Sequence, residues 1–335
     1  MRQKLAYGLI AVMLLSLFFV AYQQFQNSAK PAVPSVVKPT VPQVATPEFN
    51  ADSAFAFVEK QVKFGPRVPN TEAHRKCAAW YVTEFKRLGF NVIEQKFQAT
   101  HYKGTVFNAN NIIAQYKPAL PKRICIAAHW DSRFMADSDD HDQNKPIDGA
   151  DDGASGVGVM LELARTLSVQ PLDIGVDFVC FDVEDQGDNN GAPESWCLGS
   201  QHWSKNLHTF NYMPYQAVLF DMVGGKNARF YKEGVSMDVA PRTVDKIWRL
   251  AATLGYSEYF PEDRRPGITD DHLFVVRNAR IPMIDIISIP NDGAHPFPDH
   301  HHKHADNMTA IDRNTLKAVG QTMTAFIYQT YNGVL

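Results

Sequence analysis

From Phe49 onward the apolar positions fall into two alternating patterns. Between Ala51 and Val62, and again between Glu72 and Leu88, they recur at helical spacing; Ala79, Val82, Phe85 and Leu88 form one stripe and Gly89 is placed to stop the helix. Strand-like runs follow at Asn91 to Phe97, Asn111 to Tyr116 and Arg123 to Ala128. Ala154 to Leu167 returns to helical spacing, with Val157, Met160, Leu161, Ala164 and Leu167 on one face. Ile174 to Phe181 is a nearly unbroken apolar run, the pattern of a strand covered on both faces. Gln216 to Phe220 and Pro282 to Ile287 read the same way, and helices are expected over Val239 to Leu254 and Asp312 to Tyr331. Strands of this kind separated by helices predict an α/β fold: a single domain with a mostly parallel central sheet flanked by helices. No internal repeat and no second domain is visible.

The start of the chain breaks this rhythm. Arg2 and Lys4 precede an uncharged apolar stretch from Leu5 to Tyr22. At about 1.5 Å per residue it spans roughly 27 Å, close to the thickness of a bilayer core. Residues 1–26 are therefore expected to be a signal anchor, with cleavage near Ala21 to leave a signal peptide as the alternative. No Cys follows that could accept a lipid. Residues 27–48 repeat Pro among Lys, Val, Thr and Ser, as an extended Pro-rich linker does, which leaves 49–335 for the folded domain. The expected location is periplasmic, held at the inner membrane.

Bulk composition then removes function classes. With 33 basic against 36 acidic residues, a net charge of -3 and no long basic run, the chain has no electrostatic footprint for nucleic acid. Four cysteines, Cys77, Cys125, Cys180 and Cys197, are too few and too unevenly spaced for a disulfide scaffold or a zinc knuckle. Cys125 and Cys180 sit in apolar runs and read as buried thiols, although one bridge could form in an oxidising compartment.

The chemistry lies at the ends of the strand-like runs. His129 and Asp131 follow the run ending at Ala128, Glu184 and Asp185 follow the run ending at Phe181, and Asp221 follows Phe220. Ligands of open α/β sheets bind beyond the carboxyl ends of strands, so these groups are expected to converge on one rim. A lone carboxylate there is ordinarily a helix cap or a surface ion pair. Repeated carboxylates at the ends of apolar strands need a cation or a substrate to offset their repulsion. Nitrogen and carboxylate ligands with an open position are what catalytic zinc takes.

The segments HWDS (129–132), DGADDGASGVGVMLELAR (148–165), DFVCFDVEDQG (177–187), LGSQHW (198–203) and DMVG (221–224) resemble the zinc aminopeptidase superfamily. TDDH (269–272), WCLGSQHW (196–203) and SIPNDGAHPFPDHHHKHADN (288–307) resemble, within it, the glutaminyl-peptide cyclotransferases, particularly bacterial forms, over roughly residues 50–335. The resemblance implies one zinc per chain held by Asp152, Asp185 and His302, with Glu184 as general acid/base. It implies that Asp221 and Asp270 form a carboxylate pair beside the reacting groups. Phe297, with Trp196 or Trp203, would wall the substrate pocket. Asp152 is chosen over Asp151 because it directly precedes Gly153, and His300, His301 and His304 are left as neighbours or solvent-facing. The implied reaction closes an N-terminal Gln of a peptide or protein to pyroglutamate with release of ammonia. Two departures stand out: Asp185 replaces the Glu of animal enzymes, and Ala128 stands where they have a half-cystine. A di-zinc aminopeptidase using His129, Asp152, Asp185, Asp221 and His302 is the nearest alternative, and a non-catalytic binding protein on the same fold is a further one.

Overall fold

The computed structural model describes residues 44–293 and 295–334. The expected anchor and most of the Pro-rich linker lie outside these residues. No helix among the described residues is long and apolar enough to cross a membrane.

Helices α1 (Ala51–Val62) and α2 (Glu72–Arg87) begin at Asn50 and Thr71, whose side chains accept backbone N–H groups of the first turn. They are followed by β1 (Asn91–Thr100), β2 (Val106–Tyr116), β3 (Arg123–His129), α3 (Ala154–Val169), β4 (Gly175–Phe181), α4 (Leu198–Lys205) and β5 (Gln216–Asp221). Next come α5 (Gly234–Val239), α6 (Pro241–Thr253), α7 (Asp271–Ala279), β6 (Met283–Ile287) and α8 (Arg313–Tyr331). The strands form one sheet in the order β1-β2-β4-β3-β5-β6. Its register sets His129 opposite Phe181 and Asp221 opposite Ile287.

The sheet is mixed rather than mostly parallel. β3, β4, β5 and β6 run parallel, but β2 is antiparallel to both β1 and β4. The cause is the short connection at residues 101–105, which can join only antiparallel neighbours, whereas every parallel pair needs a crossover. The helix expected over Val239 to Leu254 is α6, which starts two residues later because Pro241 suits a first helical position; the short α5 before it was not expected.

Side chains alternate cleanly across the central strands. Ile124, Ile126 and Ala128 point into a layer with α1, α2, α3, α6 and α8; Cys125 and Ala127 point into the opposite layer with α4 and α7. α3 is pressed onto the sheet at Gly156, where a Cβ would stand 2.7 Å from the Ala128 methyl and 2.9 Å from the Phe220 carbonyl oxygen. All four cysteines are buried free thiols. Residues 44–49 run along α8: the Asn332 amide pairs with Val44, and Gln321 receives the Phe49 N–H and donates to the Pro47 carbonyl.

At the amino end of the sheet Arg123 grips Asp177 with two hydrogen bonds of 2.7 and 2.5 Å and also reaches the carbonyls of Tyr116, Lys117 and Leu120. This buried pair fastens the carboxyl end of β2 to the starts of β3 and β4, at the edge of the sheet opposite the His129 and Phe181 strand ends. Arg123→Met should leave Asp177 uncompensated and lower stability by about 3–5 kcal/mol. Urea unfolding checks this, and per-molecule activity of the folded protein should stay at the parent level.

Candidate active site

Each parallel strand delivers one piece of a single cluster. β3 ends in His129, and Trp130 continues one bond further by donating its N–H to Phe181 O. β4 ends at Phe181, and Asp182 then accepts the N–H groups of Asn110 and Val183 while its carboxylate meets His74 Nε2 at 2.9 Å. Val183 adopts φ 55°, turning the chain so that Glu184 and Asp185 face the rim. The Asp131 carboxylate fixes that turn by accepting the backbone N–H groups of both residues, at 3.0 and 3.2 Å.

The loop into α3 is held as tightly. Asp306 accepts the N–H groups of Asp151 and Asp152, and Asp151 in turn accepts from Gly224 and pairs with His300 at 2.8 Å. Asp151 is thus spent on structure, and Asp152 is the one presented to the rim. Gly153 takes φ 98°, and a Cβ there would stand 2.5 Å from the Asp131 carbonyl oxygen, so only glycine lets Asp152 approach His129.

His129 Nε2 lies 3.0 Å from Asp152 and 3.3 Å from Asp221. His302 Nε2 lies 3.0 Å from Asp185 Oδ1 and 3.7 Å from Asp152 Oδ2, so the three expected zinc ligands meet at His302. Asp152, His301 and His302, and likewise His129, Asp152 and Asp221, have donor atoms within 4.8 Å of one another. Donor atoms bound to one zinc in tetrahedral geometry stand roughly 3.3 Å apart, comparable with the His302 distances. Asp152 Oδ2, Asp185 Oδ2, Asp221 Oδ1 and both His129 nitrogens are buried without an aligned hydrogen bond. That residual capacity fits a metal ion.

Charge crowding shows in proton affinities. Burial, with Asp152 adding to it, raises Asp185 to about 6. Burial raises Asp221 to about 8, and Asp270 and Asp152 contribute through their charge. Glu184 is pushed well above the usual carboxyl range, mainly by burial. Burial alone would depress His302, but Asp185 and Asp137 outweigh it and hold it up at about 9.

A cavity of about 320 Å³ opens over this cluster, lined by Asp152, Glu184, Asp185, Asp221, Asp270 and His302 on its polar side and by Trp196, Ile268 and Phe297 on its apolar side. Trp196 stacks on His302, with ring centroids 5.8 Å apart, and carries the Arg133 guanidinium on its face. Phe297 stacks on His301, which also reaches the cavity, while His304 is turned away toward Asp139 and Asp142. Trp203 is a correction to the sequence reading. Its indole is completely buried beneath the sheet, hydrogen-bonded to His208, because α4 turns that position toward β4 and away from the rim. Asp270 caps α7 and faces Glu184 and Cys197; its influence on Asp221 is that of a neighbouring charge.

Several contributors are invisible in the motifs. Asp137 stands 3.5 Å behind His302 Nδ1 and is itself gripped by Arg133 through two hydrogen bonds. Cys197 donates its N–H to the Glu184 carbonyl and its thiol to Glu184 Oε1. The spacing of Arg133 and Asp137 at i, i+4 was the available signal for the first pair; nothing local marks the second.

The model of peptidase family M28 matches residues 111–327. A Zn-dependent exopeptidase from Parabacteroides distasonis is 46% identical, with a TM-score of 0.83, over 85% of this chain and 99% of that one. Porphyromonas gingivalis glutaminyl cyclase is 45% identical, with a TM-score of 0.82, over 84% and 99% of the two chains. Among curated relatives, the glutaminyl-peptide cyclotransferase of Bothrops jararaca is 25% identical over 279 residues, which is 73% of this chain and 71% of that protein.

A carboxylate behind a metal-binding imidazole raises its basicity and fixes its orientation, so Asp137→Ala should weaken zinc affinity about 10–100-fold. Chelator competition measures it, and an unchanged affinity would remove Asp137 from the site. The matched length, the structural likeness and the order of the rim segments lead to one placement: the chain belongs to peptidase family M28, on its glutaminyl cyclase branch.

Proposed function

We propose that this chain converts N-terminal glutaminyl residues of peptides to pyroglutamate and ammonia, with one zinc held by Asp152, Asp185 and His302. The observation that carries the reading is Glu184, whose carboxylate lines the same cavity as these three residues and the aromatic walls Trp196 and Phe297. Likeness to glutaminyl cyclases of the same fold supports it. In the reaction the α-amine nitrogen bonds to the γ-carbonyl carbon, the bond from that carbon to the side-chain amide nitrogen breaks, and ammonia departs. Bound zinc would supply Lewis acidity toward the γ-carbonyl oxygen.

The protein's own groups handle protons and geometry. Glu184 takes the proton released by the attacking amine and returns it to the leaving nitrogen, and burial strengthens its hold on a proton. Cys197 and the backbone N–H it offers keep that carboxylate from swinging away. Asp221 and Asp270 stand beside the reacting groups and accept from the free, neutral α-amine, and the Trp196 and Phe297 rings fold the side chain back toward it, lowering the entropic part of the barrier. The apolar stretch at Leu5 to Tyr22 adds the expectation of a periplasmic enzyme retained at the inner membrane.

The second reading, a di-zinc aminopeptidase, rests on His129, Asp152 and Asp221 lying within 4.8 Å of one another. The two readings part on products and on metal content. A Gln-initiated peptide should lose ammonia without chain cleavage, by mass spectrometry, and purified protein should hold about one zinc. Release of free Leu from a Leu-initiated peptide, with two tightly held metals, would establish the aminopeptidase instead. Glu184→Gln should lower kcat by about 10²–10⁴-fold while zinc content stays at the parent level.

A further inference from the structure

Seven large hydrophobic side chains are exposed among the described residues, and five of them share one end of the molecule. Singly scattered, such residues carry no message; their common placement does. Val169 ends α3, which starts at the rim cluster and finishes at the opposite edge, where Gln170 O accepts the Tyr328 hydroxyl. Phe210, Met213 and Tyr215 belong to the loop that feeds β5, and the Tyr215 N–H donates to Arg123 O at the start of β3. Val334 follows the end of α8. Lys122 links these parts: its Nζ donates to Thr330 O at 3.0 Å and sits 4.8 Å above the Tyr215 ring. Phe210 is 91% exposed, so the fold itself gives this side chain no packing.

The chain also enters here. Val44 donates to Asn332 Oδ1 at 3.0 Å and accepts from its Nδ2 at 2.9 Å, which places the first described residue beside the end of α8. The 43 residues before it include the uncharged stretch from Leu5 to Tyr22 and the Pro-rich tract. Under the anchor reading, this is the end of the fold tied to the bilayer, which favours even weak contacts with it. The cavity lies at the other end of the sheet, and a seven-residue β3 separates the two ends by roughly 20 Å.

We propose that this amino-end face is a membrane-contact surface, with Phe210, Met213, Tyr215 and Val334 set into the headgroup boundary of a phospholipid bilayer and Lys122 meeting lipid phosphates. The occupant is lipid and not a protein partner because the side chains project singly from a loop and helix ends, and because aromatic, Met and Lys groups together suit a polar-apolar boundary. The substrate cavity then opens away from the membrane. The inference depends on the anchor reading and is independent of which N-terminal residue the cavity accepts.

The test uses the full chain in liposomes of phosphatidylcholine and phosphatidylglycerol. Single cysteines at Phe210, Met213 and, as the control, Tyr102 on the hairpin at the cavity end are labelled with bimane; the four native thiols are buried and should not compete. Nitroxide-bearing lipids should extinguish most of the fluorescence at 210 and 213 and little at 102. Phe210→Asp combined with Met213→Asp should abolish the quenching of a label at Val334→Cys while peptide turnover stays unchanged. Equal, weak quenching at all three positions would overturn the proposal, as would failure of the full chain to sediment with liposomes. Self-crosslinking at 210 with no response to nitroxide lipid would assign the face to a second copy of the chain and overturn it equally.

Discussion

Negative charge gathered at one edge of the sheet is the constraint around which the molecule is arranged. Asp131, Asp152, Asp185 and Asp270 are all buried there, and a bare buried carboxylate is costly unless something meets it. Three kinds of partner do so. Backbone N–H groups converge on Asp131, Asp151 and Asp306; the Arg133 guanidinium and the His129 and His302 imidazoles face the remaining oxygens; and a few oxygens keep spare capacity that suits a metal ion. The left-handed turns at Val183, Gly153 and His302 are the local backbone cost of bringing these groups together.

The rigidity of the surroundings follows from the same need. Glu184 is held from three directions: Asp131 takes its N–H, Cys197 donates to its carbonyl, and the Cys197 thiol reaches its carboxylate. His302 is backed by Asp137, which Arg133 clamps, and the same guanidinium reaches the Asp185 carbonyl and lies on Trp196. A carboxylate and an imidazole from distant parts of the chain are thereby fixed by one buried arginine. Loop-borne groups reach the precision ordinarily expected of groups on strands and helices.

Much of this was legible in the sequence, for identifiable reasons. Strands covered on both faces write themselves as unbroken apolar runs, so β4 and β5 were plain, and the acidic residues just past them marked the rim. The helical spacing of apolar positions made α1, α2 and α8 visible, and Gly89 marked the end of α2. The direction of β2 was not legible, because antiparallel pairing depends on a short connection whose ends carry no pattern of their own. α4 and α7 were missed since eight and nine residues are too few for a helical period to show, and α4 decides the fate of Trp203. From the motif alone Trp196 and Trp203 were equivalent; the intervening left-handed Cys197 and the turn of helix after it send one indole to the cavity and the other into the core. Asp137 was missed because its value lies in standing behind His302, a relation between residues far apart in the chain.

The strap of residues 44–49 has a mechanical consequence. Its bonds to Asn332, Gln321 and Lys317 are spaced along α8, so a pull on the preceding chain in line with that helix loads them in shear and shares the force among them. Phe49, seated over Gly320 with no room for a Cβ between them, acts as the final stop. A load applied through the preceding chain would thus be absorbed along the last helix before it could disturb the catalytic edge.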